Sequence, residues 1–128
     1  MSATTPALHD TIFIQGLTLE TVVGVYAWEK RIRQRLVIDL EMRTDIRRAA
    51  RDDTLAHTLN YAAISEALIA YCRDHSFELI ETYAERMCAL LLTSFDLERV
   101  SMTLRKPGAV PDAVSVGIRI ERRRGDTA

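Results

Sequence analysis

IRQRLVIDLEMR, residues 32–43, alternates apolar and polar side chains along its length. Ile32, Leu36, Ile38, Leu40 and Met42 share one phase, and Arg33, Arg35, Asp39, Glu41 and Arg43 take the other. Successive side chains of a strand point to opposite faces, so a period of two predicts a long strand with one face in a core and the other in a polar setting. The same pattern recurs on the C-terminal side. Val100, Met102 and Leu104 alternate with Ser101, Thr103 and Arg105, and Val114, Val116, Ile118 and Ile120 alternate with Ser115, Gly117, Arg119 and Glu121. A first strand near Thr11–Leu19 is less cleanly patterned. Four strands with one polar face each predict an antiparallel sheet covered on one side.

Between the second and third strands the period changes. Ile64, Leu68, Ile69 and Cys72 form one helical stripe behind Asn60, a residue type suited to capping. Ile80, Tyr83, Met87, Leu90 and Leu91 form a second, with His75–Phe77 as a short connection. The order strand, strand, helix, helix, strand, strand defines an α+β fold with both helices on the apolar face of the sheet. The polar face, or the sheet edges, are where subunits would meet. Residues 1–9 read as a flexible lead-in, 10–122 as the domain, and 123–128 as a frayed tail whose arginines are solvated.

Composition narrows the function classes. A chain of 128 residues with 48% hydrophobic and 27% charged residues is one ordinary globular domain. A formal net charge of -1 gives no global field for nucleic acid or a membrane surface. The N-terminal MSATTPALHD lacks the basic and apolar regions of a signal peptide, and no apolar run approaches the roughly 20 residues of a membrane span. Cys72 and Cys88 form no C-x-x-C pair and read as free thiols of a reducing compartment, so a cytoplasmic protein is expected. His9, His57 and His75 are scattered without zinc-site spacing, and there is no G-x-S-x-G, P-loop or G-x-G-x-x-G motif.

Four residues could carry chemistry. Of the 17 basic residues all but Lys30 and Lys106 are arginine. An ammonium can give up its proton where a guanidinium cannot. Lys106 continues the inward phase of Val100, Met102 and Leu104, and Pro107 and Gly108 then end the strand and permit a turn. It is a candidate acid or base, against the alternative of a strand-end lysine reaching back to water. Lys30, in a polar run, carries no such signal. Glu81 opens the second helix, where an acid serves the helix dipole or offers a carboxylate to an amidine-like edge of a heterocycle. Glu29 follows the aromatic cluster Tyr26–Trp28 and also reads as an ordinary surface charge. Tyr61 opens the first helix and also reads as a half-buried anchor.

Together, GVYAWEK (24–30), LNYAAISEAL (59–68), LIETYAERMCALLL (79–92) and RKPGAV (105–110) resemble the dihydroneopterin aldolase family in order and spacing. The resemblance spans about residues 10–122. It implies a tunnelling-fold subunit, a four-stranded antiparallel sheet with two helices on one face, assembling into a ring-like barrel. It further implies a homo-oligomer, a tetramer or octamer, with active sites between neighbouring subunits. The implied activity is retro-aldol cleavage of 7,8-dihydroneopterin in folate biosynthesis, with side-chain epimerisation as an accompaniment. By resemblance Lys106 is the general acid/base, and Tyr61 comes from the neighbouring subunit to assist proton movement. Glu29 lies near the substrate tail and the lysine, Glu81 anchors the pterin edge, and Ile80 contributes a backbone contact. The resemblance implies no cofactor and no metal, because the ring imine of the pterin itself accepts electrons. The alternatives are a dihydroneopterin triphosphate 2'-epimerase of the same fold, a zinc-dependent pterin synthase that the missing histidine cluster opposes, and a ring-forming scaffold without catalysis.

Overall fold

The computed structural model describes residues 10–126. The expected lead-in over residues 1–9 lies outside them, as do residues 127 and 128 of the expected tail. Four long strands, β1 (Asp10–Val23), β2 (Gln34–Thr44), β4 (Arg99–Pro107) and β5 (Ser115–Arg123), pair antiparallel. Two helices, α2 (Tyr61–Asp74) and α3 (Ile80–Ser94), interrupt the strand sequence as their periodicity requires. Two elements were not foreseen. A six-residue helix α1 (Arg47–Asp52) follows β2, and a two-residue strand β3 (Ser76–Phe77) runs parallel to Val22–Val23. The sheet therefore has five strands, in the order β3-β1-β2-β4-β5, where the sequence predicts four. Two residues are too few for a period-two signal to emerge, which is why Ser76–Phe77 read as a plain connection.

The alternation in β2 does what its pattern requires. Leu36, Ile38, Leu40 and Met42 are fully buried, together with Val100, Met102 and Leu104 of β4. α2 lies against β1, and α3 lies across β4 and β5. Ile64, Leu68 and Cys72 of α2 and Tyr83, Met87, Cys88 and Leu91 of α3 complete one continuous core. Burial of each such leucine contributes about 1.5–3 kcal/mol, which makes this face the main source of stability. Asn60 caps α2 as expected, its side-chain oxygen accepting from the Ala63 amide at 3.1 Å.

Three positions depart from the pattern. Ile32 precedes β2 and is exposed, and Ile69 faces away from the sheet. Val114 is 96% exposed, because β5 starts only at Ser115, after the turn that follows Pro107. β1 is the more informative case. Its register against β2 shifts between Ile14 and Leu17. Gly16 sits there at φ 72, and its amide donates to Asp39 Oδ1 at 2.8 Å. One extra residue in a strand reverses the face on which later side chains emerge. Ile12 and Ile14 thus point inward before the bulge, and Leu19, Thr21 and Val23 do so after it. Residues 123 and 124, read as part of a frayed tail, instead continue the ordered chain, with Arg123 closing β5. Arg122 pairs with Glu85 of α3, and the Arg124 amide donates to the Glu98 carbonyl at 2.9 Å.

Thr21 is the polar residue in the inward phase of β1. Its hydroxyl donates to the Cys72 carbonyl at 2.7 Å, at the end of α2, and also meets the Tyr83 hydroxyl. Tyr83 reaches the His75 carbonyl at 2.9 Å. These two hydroxyls fasten the α2–α3 connection to β1, which fixes where α3 begins. Cys72 and Cys88 remain free, and burial pushes both thiols up to about 12. Only the thiolate reacts with disulfide reagents. Native protein at pH 8 is therefore expected to resist a thiol-exchange dye, with both cysteines labelled once urea unfolds the chain. Rapid labelling of either thiol in the native state would contradict this burial.

Candidate active site

The strand ends at the β1 C-terminus, the β2 N-terminus and the β4 C-terminus lie together, beside the start of α3. Between them is a cavity of about 490 Å³ lined by Gly24, Tyr26, Trp28, Glu29, Gln34, Leu79, Ile80, Glu81, Lys106 and Gly108. Lys106 reaches it because it holds the inward phase of β4, one residue before the strand ends. Gly108 then takes φ 77, a left-handed conformation that a glycine adopts without strain. Ile80 and Glu81 reach it from the first turn of α3, where Glu81 also meets the positive end of the helix dipole.

Glu29 is the largest departure from a surface reading. It sits in a single 3-10 turn, Trp28–Arg31, between β1 and β2, and is only 5% exposed. Among the described residues, it and Thr21 are the buried polar residues. Its Oε2 accepts from Lys106 Nζ at 2.7 Å and from Gln34 Nε2 at 2.9 Å, and its Oε1 accepts from the Tyr26 amide at 3.3 Å. The bond from Lys106, and then that from Gln34, lower the Glu29 carboxyl to about 2, against the opposing effect of burial. This carboxylate is therefore ionised throughout the physiological range. An ion pair held by further hydrogen bonds satisfies the condition under which two buried charges are tolerated. The Lys106 side chain is itself 14% exposed, so the ammonium is open to the cavity on one side.

The structure thus brings together four of the five expected site residues: Lys106, Glu29, Ile80 and Glu81. The fifth, Tyr61, stands at the first position of α2, is 63% exposed, and does not line the cavity of its own chain. Lys30 is exposed and does not line the cavity itself, although it pairs at 2.6 Å with Glu78, which does. Two residues escaped the sequence reading. Gln34 bridges Glu29 and the Val23 carbonyl, at 2.7 Å from the latter. A signal existed, since Gln34 is the polar residue in an otherwise apolar phase between Ile32 and Leu36. Gly24 directly follows β1 with φ 135, and a β-carbon on it would run into the Glu29 carboxylate.

A larger hollow, about 680 Å³, opens at the opposite end of the sheet, lined by Arg43, Arg47, Arg48, Arg51, Asp45 and Asp96 among others. Its charges are mixed in sign, Arg47 pairs with Asp45 at 2.6 Å, and none of the candidate residues reaches it. Size alone therefore does not mark the site; the buried ion pair does. Among the described residues no group of three or more His, Cys, Asp or Glu side chains converges as metal ligands would. Among the described residues no helix is long and apolar enough to cross a membrane.

Comparison with known proteins bears on this arrangement. The sequence model of the dihydroneopterin aldolase family matches residues 12–121. The chain is 44% identical over 113 residues to the dihydroneopterin aldolase of Escherichia coli K12, covering 88% of this chain and 93% of that protein. It is 42% identical over 113 residues to the dihydroneopterin aldolase of Haemophilus influenzae, covering 88% of this chain and 96% of the relative. The crystal structure of the E. coli enzyme in complex with neopterin superimposes with a TM-score of 0.86, at 44% identity over 88% of this chain and 98% of that one. The matched span contains both residues of the ion pair and the helices α2 and α3. The chain belongs to the dihydroneopterin aldolase family.

Proposed function

We propose that this chain cleaves the side chain of 7,8-dihydroneopterin by a retro-aldol reaction, yielding 6-hydroxymethyl-7,8-dihydropterin and glycolaldehyde for folate biosynthesis. The observation that carries the proposal is the 2.7 Å Glu29–Lys106 pair set in a cavity wall beside the α3 terminus that bears Ile80 and Glu81. The reaction needs a group that moves protons and somewhere to put an electron pair. Lys106 serves the first need in its neutral amine form, acting through a bridging water. The amine takes up, by way of that water, the proton of the hydroxyl on the second side-chain carbon as the bond to the first carbon breaks, and as the ammonium it then holds the proton for return. The electron pair passes into the ring imine, the second carbon leaves in glycolaldehyde, and a proton returned to the first carbon restores the imine. Re-addition of glycolaldehyde to the opposite face before release gives the epimer, so side-chain epimerisation accompanies cleavage.

Glu29, ionised down to about pH 2, does not exchange protons during turnover near neutrality. Its role in this reading is to hold the lysine head and to accept from the hydroxyls of the substrate tail. Glu81 accepts two parallel N–H bonds from the amino edge of the pterin, a geometry suited to a carboxylate, and the Ile80 backbone adds a contact. The E. coli relative binding neopterin supports a pterin as the occupant. Tyr61 comes from a neighbouring subunit. Its exposure, its distance from its own cavity and the open edge that β5 presents support a ring in which adjacent copies complete each site. A tetramer or an octamer of two stacked rings is expected by light scattering, in the cytoplasm and without a cofactor.

A product assay on 7,8-dihydroneopterin and on its triphosphate, with excess chelator present, tests the proposal. Release of glycolaldehyde from the free pterin is the expected result. Epimer alone, from the triphosphate, would assign the chain to epimerisation, and no turnover of either would reject the aldolase reading. Glu81→Ala is expected to weaken neopterin binding about 10- to 100-fold, the worth of charge-assisted bonds lost from a cavity, with kcat at saturation little changed. Unchanged affinity by calorimetry would remove Glu81 from the pterin edge.

A further inference from the structure

We propose that Gly24 is a positioning residue for Lys106 and the Glu29 carboxylate that holds it, because the space left by its missing side chain is the space in which that carboxylate lies. The inference rests on the reading of Glu29 and Lys106 given above. Gly24 is buried at the end of β1, and its amide donates to the Phe77 carbonyl at 3.4 Å, so the residue is tied down by β3. A β-carbon built there would overlap the carboxyl carbon and both oxygens of Glu29. The carboxylate has nowhere to retreat without cost. Gln34, which donates to it, also donates to the Val23 carbonyl next to Gly24, and the Tyr26 amide holds its other oxygen. Displacing Glu29 therefore breaks those bonds or drags Lys106 away from the cavity with it.

The glycine thus meets two separate demands. One is conformational, since φ 135 excludes ordinary L side chains. The other is spatial, and only the second couples the backbone of β1 to the chemistry. A displacement of about 1 Å in a proton-transfer arrangement costs on the order of 100-fold in rate. The loss falls on kcat, because the pterin edge is held elsewhere, at Ile80 and Glu81.

A double-mutant cycle separates the two demands. Gly24→Ala, Glu29→Ala and the double variant are purified, and kcat and KM on 7,8-dihydroneopterin are measured alongside urea melts. The expected result is a fall in kcat of about 30- to 100-fold for Gly24→Ala in the native background, with KM within about threefold. In the Glu29→Ala background, where no carboxylate fills the space, the same change is expected to lower kcat by less than about twofold. Equal losses in both backgrounds, or no loss in either, would overturn the positioning role and leave a purely conformational glycine. Glu29→Ala turning over at the native rate would instead reject the underlying reading in which Glu29 holds Lys106, a distinct outcome. Should Gly24→Ala fail to fold, the double variant decides. Its folding would show that the carboxylate occupies the space, and its failure would assign the glycine to backbone conformation alone.

Discussion

Lys106→Ala is expected to lower kcat on 7,8-dihydroneopterin by about 100- to 10,000-fold, the range that a positioned proton-transfer group contributes. Neopterin affinity is expected to stay within a few-fold, because Glu81 and the Ile80 backbone approach the cavity from α3, independently of β4. The substitution also strips Glu29 of its cationic partner while Gln34 and the Tyr26 amide remain. A buried carboxylate that loses its counter-charge destabilises the fold, so the melting temperature of Lys106→Ala falls as well. The rate must therefore be read well below that temperature. Single-turnover measurement separates the chemical step from product release, and a near-native rate there would remove Lys106 from the proton path.

Lys106 was legible in the sequence because strand phase is a local property. Val100, Met102 and Leu104 fix which face is inward, and Lys106 inherits that face without any knowledge of the rest of the chain. β2 was legible for the same reason, and Asn60 because capping is decided within three residues. Glu29 was not legible from its neighbours. Nothing in AWEK distinguishes an acid on a surface from one turned inward by a 3-10 turn; that depends on where Gln34 and Lys106 arrive. β1 was legible as a strand near Thr11–Leu19, but its pattern was blurred for a different reason. Its bulge at Gly16 is stabilised by Asp39 from another strand, so the break in its phase comes from tertiary structure. Nothing in GVYAWEK singles out Gly24, and its contact with a carboxylate five residues later appears only once the chain has turned.

Acid is expected to destabilise the native chain through Glu29 more than through any other single buried group. The folded carboxyl titrates at about 2, below its ordinary value of 4.5. A group depressed in the folded state is stabilising above its unfolded value, and that contribution is lost as pH falls from about 4.5 towards 2. A shift of this size corresponds to about 3 kcal/mol at full loss. Glu29→Gln cannot titrate. The variant is expected to be less stable than the native chain at pH 7, and the gap between the two is expected to close between pH 4.5 and 2. Urea melts at half-unit pH intervals measure it. A gap that stayed constant across that range would mean that Glu29 does not hold its charge against Lys106 as the geometry indicates.

The two charges of that pair lie 77 residues apart in the chain. One is delivered by the β1–β2 connection, the other by the far end of β4. Contacts of such separation form late, since the entropy of closing the intervening loop is spent before the contact returns anything. The helices and the β1–β2 hairpin can form while the site does not yet exist; β4 must still find its register along β2. During refolding, then, a helical signal reports an early event, and turnover recovers only after the sheet has closed and neighbouring copies have met. The chain acquires its chemistry last, after its final long-range pairing.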